Sequence, residues 1–278
     1  MLKTGMMRIV RAGTTTLCLG ISLFVPRVGF AQAGHLDTTF AVAGIFVTHD
    51  TLAFDSLADA VTLQSDAKIV VGGEIGSLAA ILRLTSNGSP DSSFGTNGVA
   101  TINVASGLGG GVQVIGVAIQ TDNKIVEGIS TVNSHGTESF SLARLNTTGA
   151  PDDTFGTSGL VTTTFPFGQQ RSPTVLALQA DGKILLAGDG VLARYDTNGQ
   201  LDTGFGSGGL AVLTAFPVTA MALQTNGQIL IAAGGPPRST FPPSFLSVSV
   251  TGLITRYNSN ETLDTTFGES GEAATADR

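Results

Sequence analysis

The sequence predicts an all-β fold made of tandem antiparallel units of about 50–60 residues each. Three observations support this prediction. Short runs rich in Val, Ile, Leu and Thr alternate with Gly, Asn and Asp, which is the pattern of short strands joined by turns. No stretch has sustained apolar spacing at three and four residues, so no long helix is expected. The same motifs also return at long intervals along the chain.

The most regular motif is an Asp-x-x-Phe segment preceded by Leu or Pro. Its phenylalanine falls at Phe40, Phe94, Phe155, Phe205 and Phe267. A second motif runs from a glutamine through a polar turn, at Gln64–Lys68, Gln120–Lys124, Gln179–Lys183 and Gln224–Gln228. These motifs indicate one repeat domain over residues 34–278, with repeats at about 36–89, 90–150, 151–200 and 201–262 and a terminal half-repeat at 263–278.

A third repeated element pairs one arginine with one aspartate. The aspartate follows the arginine by eight residues in every copy. The pairs are Arg83 with Asp91, Arg144 with Asp152, Arg194 with Asp202, and Arg256 with Asp264. A guanidinium and a carboxylate at a fixed offset are suited to a charge-assisted hydrogen bond. Because every unit carries the pair, we expect these residues to hold the scaffold together rather than to form a site.

Each repeat is expected to contain four strands, which in the second copy lie at 98–104, 115–120, 124–130 and 139–146. Residue types that accept positive φ indicate a two-residue turn between the second and third strands. The third strands are continuously apolar and therefore need cover on both faces. Stacked blades of a β-propeller provide that cover. We expect a small four-bladed propeller, closed by residues 263–268 packing on the first blade; an open arc of blades is the alternative.

The repeat resembles the delta-60 repeat of exported bacterial proteins. The family pattern is roughly Leu-Asp-x-x-Phe-Gly, then Gln-x-Asp-Gly-Lys-Ile, then Leu-x-Arg-Tyr-Asn, and the third copy matches it best. The chain departs from the pattern at Ala41, Asn226 and Gln228. The resemblance implies propeller-like blades and implies no general biochemical activity.

Residues 1–33 are expected to be a cleavable secretory signal, because a basic start precedes a short apolar run and Ala31-Gln32-Ala33. A secreted or periplasmic location would follow, with no membrane span after cleavage. The only cysteine, Cys18, lies in this segment, so no disulfide is expected in the exported part. That part would carry 10 basic and 21 acidic residues, a net charge of −11. An acidic chain argues against nucleic acid and anionic lipid as partners.

No metal site or cofactor is predicted. The three histidines, His35, His49 and His135, show no paired metal-ligand spacing. The segment Asp196–Asp202 begins like a calcium loop but has no glutamate at its end. Asp and Asn also favour turns without a metal, and calcium stays open as an alternative. Gly-Thr-Ser-Gly segments indicate turns rather than the nucleophile elbow of a serine hydrolase, so no catalytic residue is identified.

The connections between strands differ in how much they vary. In an antiparallel meander, successive connections alternate between the two ends of the sheet, so the short turns and the Asp-x-x-Phe segments share one end. The opposite end carries connections of very different length, which suits recognition. There we expect a ligand-binding patch formed by Arg238, Phe241 and Phe245, with His135 on a neighbouring connection.

The sequence therefore favours an exported repeat scaffold that acts as a binding module for a glycan, a peptide or an envelope protein. The alternative is a small secreted hydrolase acting on glycan or ester substrates among the same loops. Whether the chain is an enzyme stays undecided at this point.

Overall fold

The computed structural model describes residues 36–46, 56–104, 111–132, 138–165, 172–213, 217–234 and 250–276. Residues Asp37–Arg278 form one compact unit. The predicted signal at 1–33 lies outside the described residues. In the part of the chain given above, no helix is long and apolar enough to cross a membrane.

In the described residues, sixteen strands form four antiparallel sheets of four strands each, and within each sheet the strands are ordered as in the sequence. The all-β prediction is therefore confirmed. The strands of the first two sheets are β1 Ser56–Leu63, β2 Ile69–Ile75, β3 Leu78–Leu84, β4 Val99–Ile102, β5 Val112–Ile119, β6 Ile125–Val132, β7 Glu138–Leu145 and β8 Leu160–Thr163. Those of the last two sheets are β9 Val175–Leu178, β10 Ile184–Gly188, β11 Val191–Tyr195, β12 Leu210–Val212, β13 Val218–Leu223, β14 Ile229–Ala233, β15 Val250–Tyr257 and β16 Glu272–Ala276.

The tight hairpin of each sheet lies between its first and second strands. In the first sheet the backbone pair Gln64–Lys68 closes it, with Gln64 N–H donating to the Lys68 carbonyl at 2.9 Å. Three residues lie inside this pair, so the expected two-residue turn was wrong by one residue. The third of them takes positive φ, 64° at Ala67 and 84° at Gly182. This is the three-residue loop with a left-handed last position.

Sheets and sequence repeats are offset by one strand. The Asp-x-x-Phe turn returns the chain onto the strand it has just left, with Asp91 N–H donating to the Arg83 carbonyl at 3.0 Å and Arg83 N–H to the Gly98 carbonyl at 2.8 Å. The strand after the turn therefore completes the preceding sheet. In the same way residues 263–276 complete the fourth sheet, where Leu263 pairs with Tyr257. The backbone pairing of this segment is thus with the fourth sheet, and the expected packing of 263–268 on the first blade stays a prediction.

The sheets pack face to face in sequence order. We call face A the face that carries the first residue of each second strand (Ile69, Ile125, Ile184 and Ile229), and face B the opposite face. Three apolar clusters each join face B of one sheet to face A of the next. In the third-to-fourth junction, for example, Leu185 and Ala187 pack with Ile229 and Ile231.

The described residues contain no core cluster that joins the fourth sheet to the first. The described residues therefore show no packing of the fourth sheet on the first that would close the blades into a ring. The arrangement agrees with the open alternative, in which each sheet packs only on its neighbours in sequence.

Candidate functional site

The arginine–aspartate pairs meet at the hairpin end of every sheet. The Arg Nε to Asp Oδ2 distances are 2.8 Å for Arg83–Asp91, 2.8 Å for Arg144–Asp152, 2.9 Å for Arg194–Asp202 and 2.8 Å for Arg256–Asp264. Each guanidinium also lies over the phenylalanine of its own Asp-x-x-Phe turn, as with Arg83 at 4.3 Å from the Phe94 ring centre. The turn sequence thus provides both a counter-ion and a cation–π partner for one arginine.

A further cation from the tight hairpin joins the aspartate in three sheets. Lys124 Nζ lies 3.0 Å from Asp152 Oδ2 and Lys183 Nζ lies 3.1 Å from Asp202 Oδ2. In the fourth sheet Gln228 Nε2 donates to Asp264 Oδ2 at 2.7 Å instead. Glutamine in place of the hairpin lysine therefore keeps a hydrogen bond to the aspartate but lacks the positive charge.

Three of these arginines, Arg83, Arg144 and Arg194, reach across to the next sheet. Arg83 Nη1 donates to the Thr147 carbonyl at 2.8 Å, and Arg194 Nη1 donates to the Ser259 carbonyl at 2.8 Å. Arg144 makes the equivalent bond to the carbonyl of Thr197. The guanidinium is thus occupied by protein acceptors on both sides of each junction. Such an arrangement suits a structural contact better than a ligand site.

Hydrogen bonds hold the aspartates in their charged form. The Ser93 hydroxyl, together with Arg83, lowers the pKa of Asp91 well below its usual range. The Thr266 hydroxyl lowers the pKa of Asp264 to about 2. These carboxylates are therefore ionised at neutral pH and are not suited to general acid chemistry.

Two buried carboxyl groups lie on the faces by which the first two sheets pack together. Glu74 lies near the end of β2 on face B of the first sheet, and Glu127 lies on face A of the second sheet. Both are buried, with 5% of Glu74 and 1% of Glu127 exposed. The Val114 N–H donates to Glu74 Oε1 at 2.6 Å. Within the described part of the chain, neither carboxyl oxygen of Glu127 has a hydrogen-bond partner.

Burial, together with the negative charge of Glu74, raises the pKa of Glu127 to about 8. Burial likewise raises the pKa of Glu74, which also has Asp59 nearby. A carboxyl group that keeps its proton at neutral pH can donate a hydrogen bond. Such perturbed acids mark candidate functional sites, although burial in a core produces them as well. We take Glu74 and Glu127 as the candidate site of the described residues.

Neither glutamate was identified from the sequence, but a signal was present. Aligned on the hairpin, the position of Glu127 is filled by Val71, Leu186 and Ile231 in the other sheets. A single acid in an otherwise apolar repeat position stands out once the repeats are aligned. Glu74 gives no such signal, because its equivalents Ser130 and Asp189 are also polar.

The predicted ligand-binding residues Arg238, Phe241, Phe245 and His135 lie outside the described residues. The suspected calcium segment forms an ordinary turn: Asp196 Oδ1 accepts the N–H groups of Asn198 and Gln200, each at 2.9 Å. Over the described ranges, no group of three or more His, Cys, Asp or Glu is placed to hold a metal ion.

Comparison with known proteins agrees with this fold. Residues 64–94, 120–155 and 179–205 match the family described as a domain of unknown function (DUF5122) beta-propeller. Each match runs from the glutamine of a tight hairpin to the phenylalanine under the arginine. The fourth repeat, where Gln228 replaces the hairpin lysine, lies outside these three segments. No curated protein matches the chain.

Several solved structures are also similar. A protein from Lactobacillus plantarum has 9% identity and a TM-score of 0.37, covering 74% of this chain and 69% of that one. Virginiamycin B lyase from Staphylococcus aureus has 10% identity and a TM-score of 0.28, covering 76% and 87%. A luciferin-regenerating enzyme has 13% identity and a TM-score of 0.30, covering 73% and 78%. At this level of similarity they carry no argument about activity. Together, the four sheets and the three matched segments identify this chain as one built from β-propeller repeats.

Proposed function

We propose that this protein is a binding module that recognises its ligand at one end of the sheets, the variable end. The variable end comprises the connections between second and third strands and those between successive sheets. The opposite end, called here the hairpin end, carries the arginine–aspartate clusters. Its side chains already bond to one another, which leaves the variable end for recognition.

The contrast between the two ends is the observation that carries this proposal. At the hairpin end every sheet repeats the same ion pair within 0.1 Å, at 2.8–2.9 Å. At the variable end the second and third strands are two residues apart in the first sheet, between Ile75 and Leu78. They are sixteen residues apart in the fourth sheet, where residues 234–249 separate β14 from β15. Variation on a rigid scaffold is the pattern of binding loops.

The ligand class follows from chemistry. The chain carries a formal net charge of −7, which disfavours polyanions. The segment 234–249 combines Arg238 with Phe241 and Phe245, and aromatic and arginine side chains are common anchors of interfaces. We therefore propose a glycan, a peptide or an envelope protein as the ligand. Export directed by residues 1–33 is part of the same proposal, and cell fractionation with and without this segment tests it.

A glycan array and a peptide library, both screened with the full chain, test the binding function. For any ligand found, residues 235–245 are replaced by a Gly-Ser linker, and Arg238→Ala, Phe241→Ala and His135→Ala are made singly. We expect the linker variant to lose binding at least tenfold. Asp122→Ala, an exposed position at the hairpin end, is the matched control and should bind normally. Unchanged binding by the linker variant would refute the proposal.

A hydrolase acting on glycans or esters is the second candidate, and the pair Glu74 and Glu127 is the observation in its favour. Two carboxyl groups of raised pKa can serve as acid and base. The burial of Glu127 counts against the hydrolase, because a side chain that is 1% exposed is out of reach of a substrate. Turnover of ester or glycan substrates that is abolished by Glu74→Gln or by Glu127→Gln, with the fold retained, would favour the hydrolase over the binding module.

A further inference from the structure

Face A of the first sheet is apolar, and in the described residues the β1 side of this face lacks cover, whereas Ala80 and Leu84 on β3 are buried. Val61 is 68% exposed and Leu63 is 65% exposed on β1. Their equivalents on the first strand of the fourth sheet, Met221 and Leu223, are half-buried against the core that joins the third and fourth sheets. The first sheet therefore has the side chains of a packed face A but no preceding sheet against it.

Among the described residues, no sheet covers face B of the fourth sheet either. It carries Ala220, Ala222, Leu230, Ala232 and Ile254, and Ile254 is 39% exposed. This surface has the composition of a core, with small and branched apolar side chains. The charged side chain on this face is Arg256, the arginine of the repeat.

These two uncovered faces match the two halves of an existing junction. Face B of the third sheet presents Leu185, Ala187 and Leu192 to the fourth sheet. Alignment on the hairpin places Leu230, Ala232 and Ile254 of the fourth sheet at the same positions. The partner side of that junction is formed by Leu223, Ile229 and Ile231. The first sheet has Leu63, Ile69 and Val71 at those positions.

Arg256, the arginine of the fourth sheet, also indicates that a further sheet would fit against face B. Arg83, Arg144 and Arg194 each bond to a backbone carbonyl of the following sheet. Among the described residues Arg256 has no such bond. Its side chain is 21% exposed, against 4% for Arg83. The first sheet has Ser86 at the turn position whose carbonyl accepts this bond in the other junctions.

We propose that the chain associates head to tail with a second copy of itself, face B of the fourth sheet docking on face A of the first sheet of the partner copy. The junction repeats the packing that already joins successive sheets. It is heterologous, because each copy offers two different faces. Burial of the exposed Val61 and Leu63 side chains provides the driving force.

The segment around Phe40 competes with this association. Phe40 lies against Gly88 on the first sheet, as Phe155 lies against Gly199 in the third. Ala41 N–H donates to the Asn87 carbonyl at 2.8 Å, as Gly95 N–H donates to the Thr148 carbonyl at 2.8 Å. The sequence Leu-Asp-Thr-Thr-Phe is identical at 36–40 and 263–267. Docking of a second copy thus replaces Phe40 by the partner's Phe267 on the same turn.

Sedimentation velocity of the full chain over a range of concentrations tests the proposal. We expect concentration-dependent association that is weakened at least tenfold by Val61→Asp with Leu63→Asp, and equally by Ile254→Asp, because each places a charge in the junction. Val212→Asp on the third sheet, at a position that is 81% exposed, is the matched control and should associate normally. Phe40→Ala should strengthen association by removing the competing side chain.

Mixing the two blocked variants gives a sharper test. Each keeps one intact face, so the Val61→Asp/Leu63→Asp variant and the Ile254→Asp variant should form a one-to-one complex although neither self-associates. Failure of this mixture to associate overturns the head-to-tail arrangement. A wild-type chain that stays monomeric at all concentrations also overturns it. If the monomer in addition loses thermal stability through Val61→Asp/Leu63→Asp but not through Val212→Asp, the two faces meet within one chain instead.

Discussion

The substitution Glu127→Gln should stabilise the protein in a strongly pH-dependent way. Glu127 loses its proton near pH 4.5 in the unfolded chain and near pH 8 in the folded protein. Between these values the folded state binds more protons than the unfolded state, so the free energy of unfolding falls as pH rises. Glutamine keeps the shape of the protonated side chain and has no proton to lose.

The size of the stability change follows from the difference between the two pKa values. At pH 7 the cost of keeping Glu127 protonated in the fold is about 3 kcal/mol, and it approaches about 5 kcal/mol above pH 8. Total stabilities of domains lie near 5–15 kcal/mol, so this cost is a large share. Below pH 4.5 the cost vanishes, and the variant and the natural chain should be equally stable.

Urea unfolding at roughly pH 4, 7 and 9 measures the effect. The gain from Glu127→Gln should be near zero at the lowest pH and grow through neutrality. Asp153→Asn, which changes an exposed carboxylate, is the control and should alter stability by less than about 0.5 kcal/mol at every pH. A gain that is the same at all three pH values would refute the assignment of a raised pKa to this group.

Two further predictions concern the repeated elements. Arg144→Ala should destabilise the fold by about 3 kcal/mol, because Asp152 keeps Lys124 but loses its buried guanidinium partner, and the contacts of Arg144 with Phe155 and Thr197 are lost as well. Arg256→Ala should cost less, because this arginine is more exposed and makes no cross-sheet bond among the described residues. Chemical unfolding measures both, and equal losses would contradict a cross-sheet role. Ala67→Gly should stabilise by about 0.5 kcal/mol, since Ala67 takes a φ of 64° that favours glycine. The reverse change, Gly182→Ala, should destabilise, and thermal unfolding of both variants checks the pair.

The sequence predicted the repeat scaffold better than it predicted the candidate site. The motifs correctly placed four-stranded antiparallel units, because the turn chemistry of Asp, Asn and Gly acts over a few residues. The assignment of strands to sheets was offset, since the strand that follows the Asp-x-x-Phe turn pairs with the strand before the turn rather than with the next unit, as Val99 pairs with Leu82. Glu127 was missed because its effect depends on which face of a strand meets another sheet.

The sequence by itself determined the repeat, the strand-and-turn pattern and the constant offset of eight residues between arginine and aspartate. Only the tertiary structure decided what these features contact. It showed that Arg83 reaches Thr147 in the next sheet and that Glu127 is buried on the face that meets the first sheet. It also showed that Val61 and Leu63 are exposed, with no sheet of the described residues against them. The physical reason is that turns and hydrogen-bonded hairpins arise from local backbone preferences. Burial and pKa depend instead on the packing of residues that are distant in sequence.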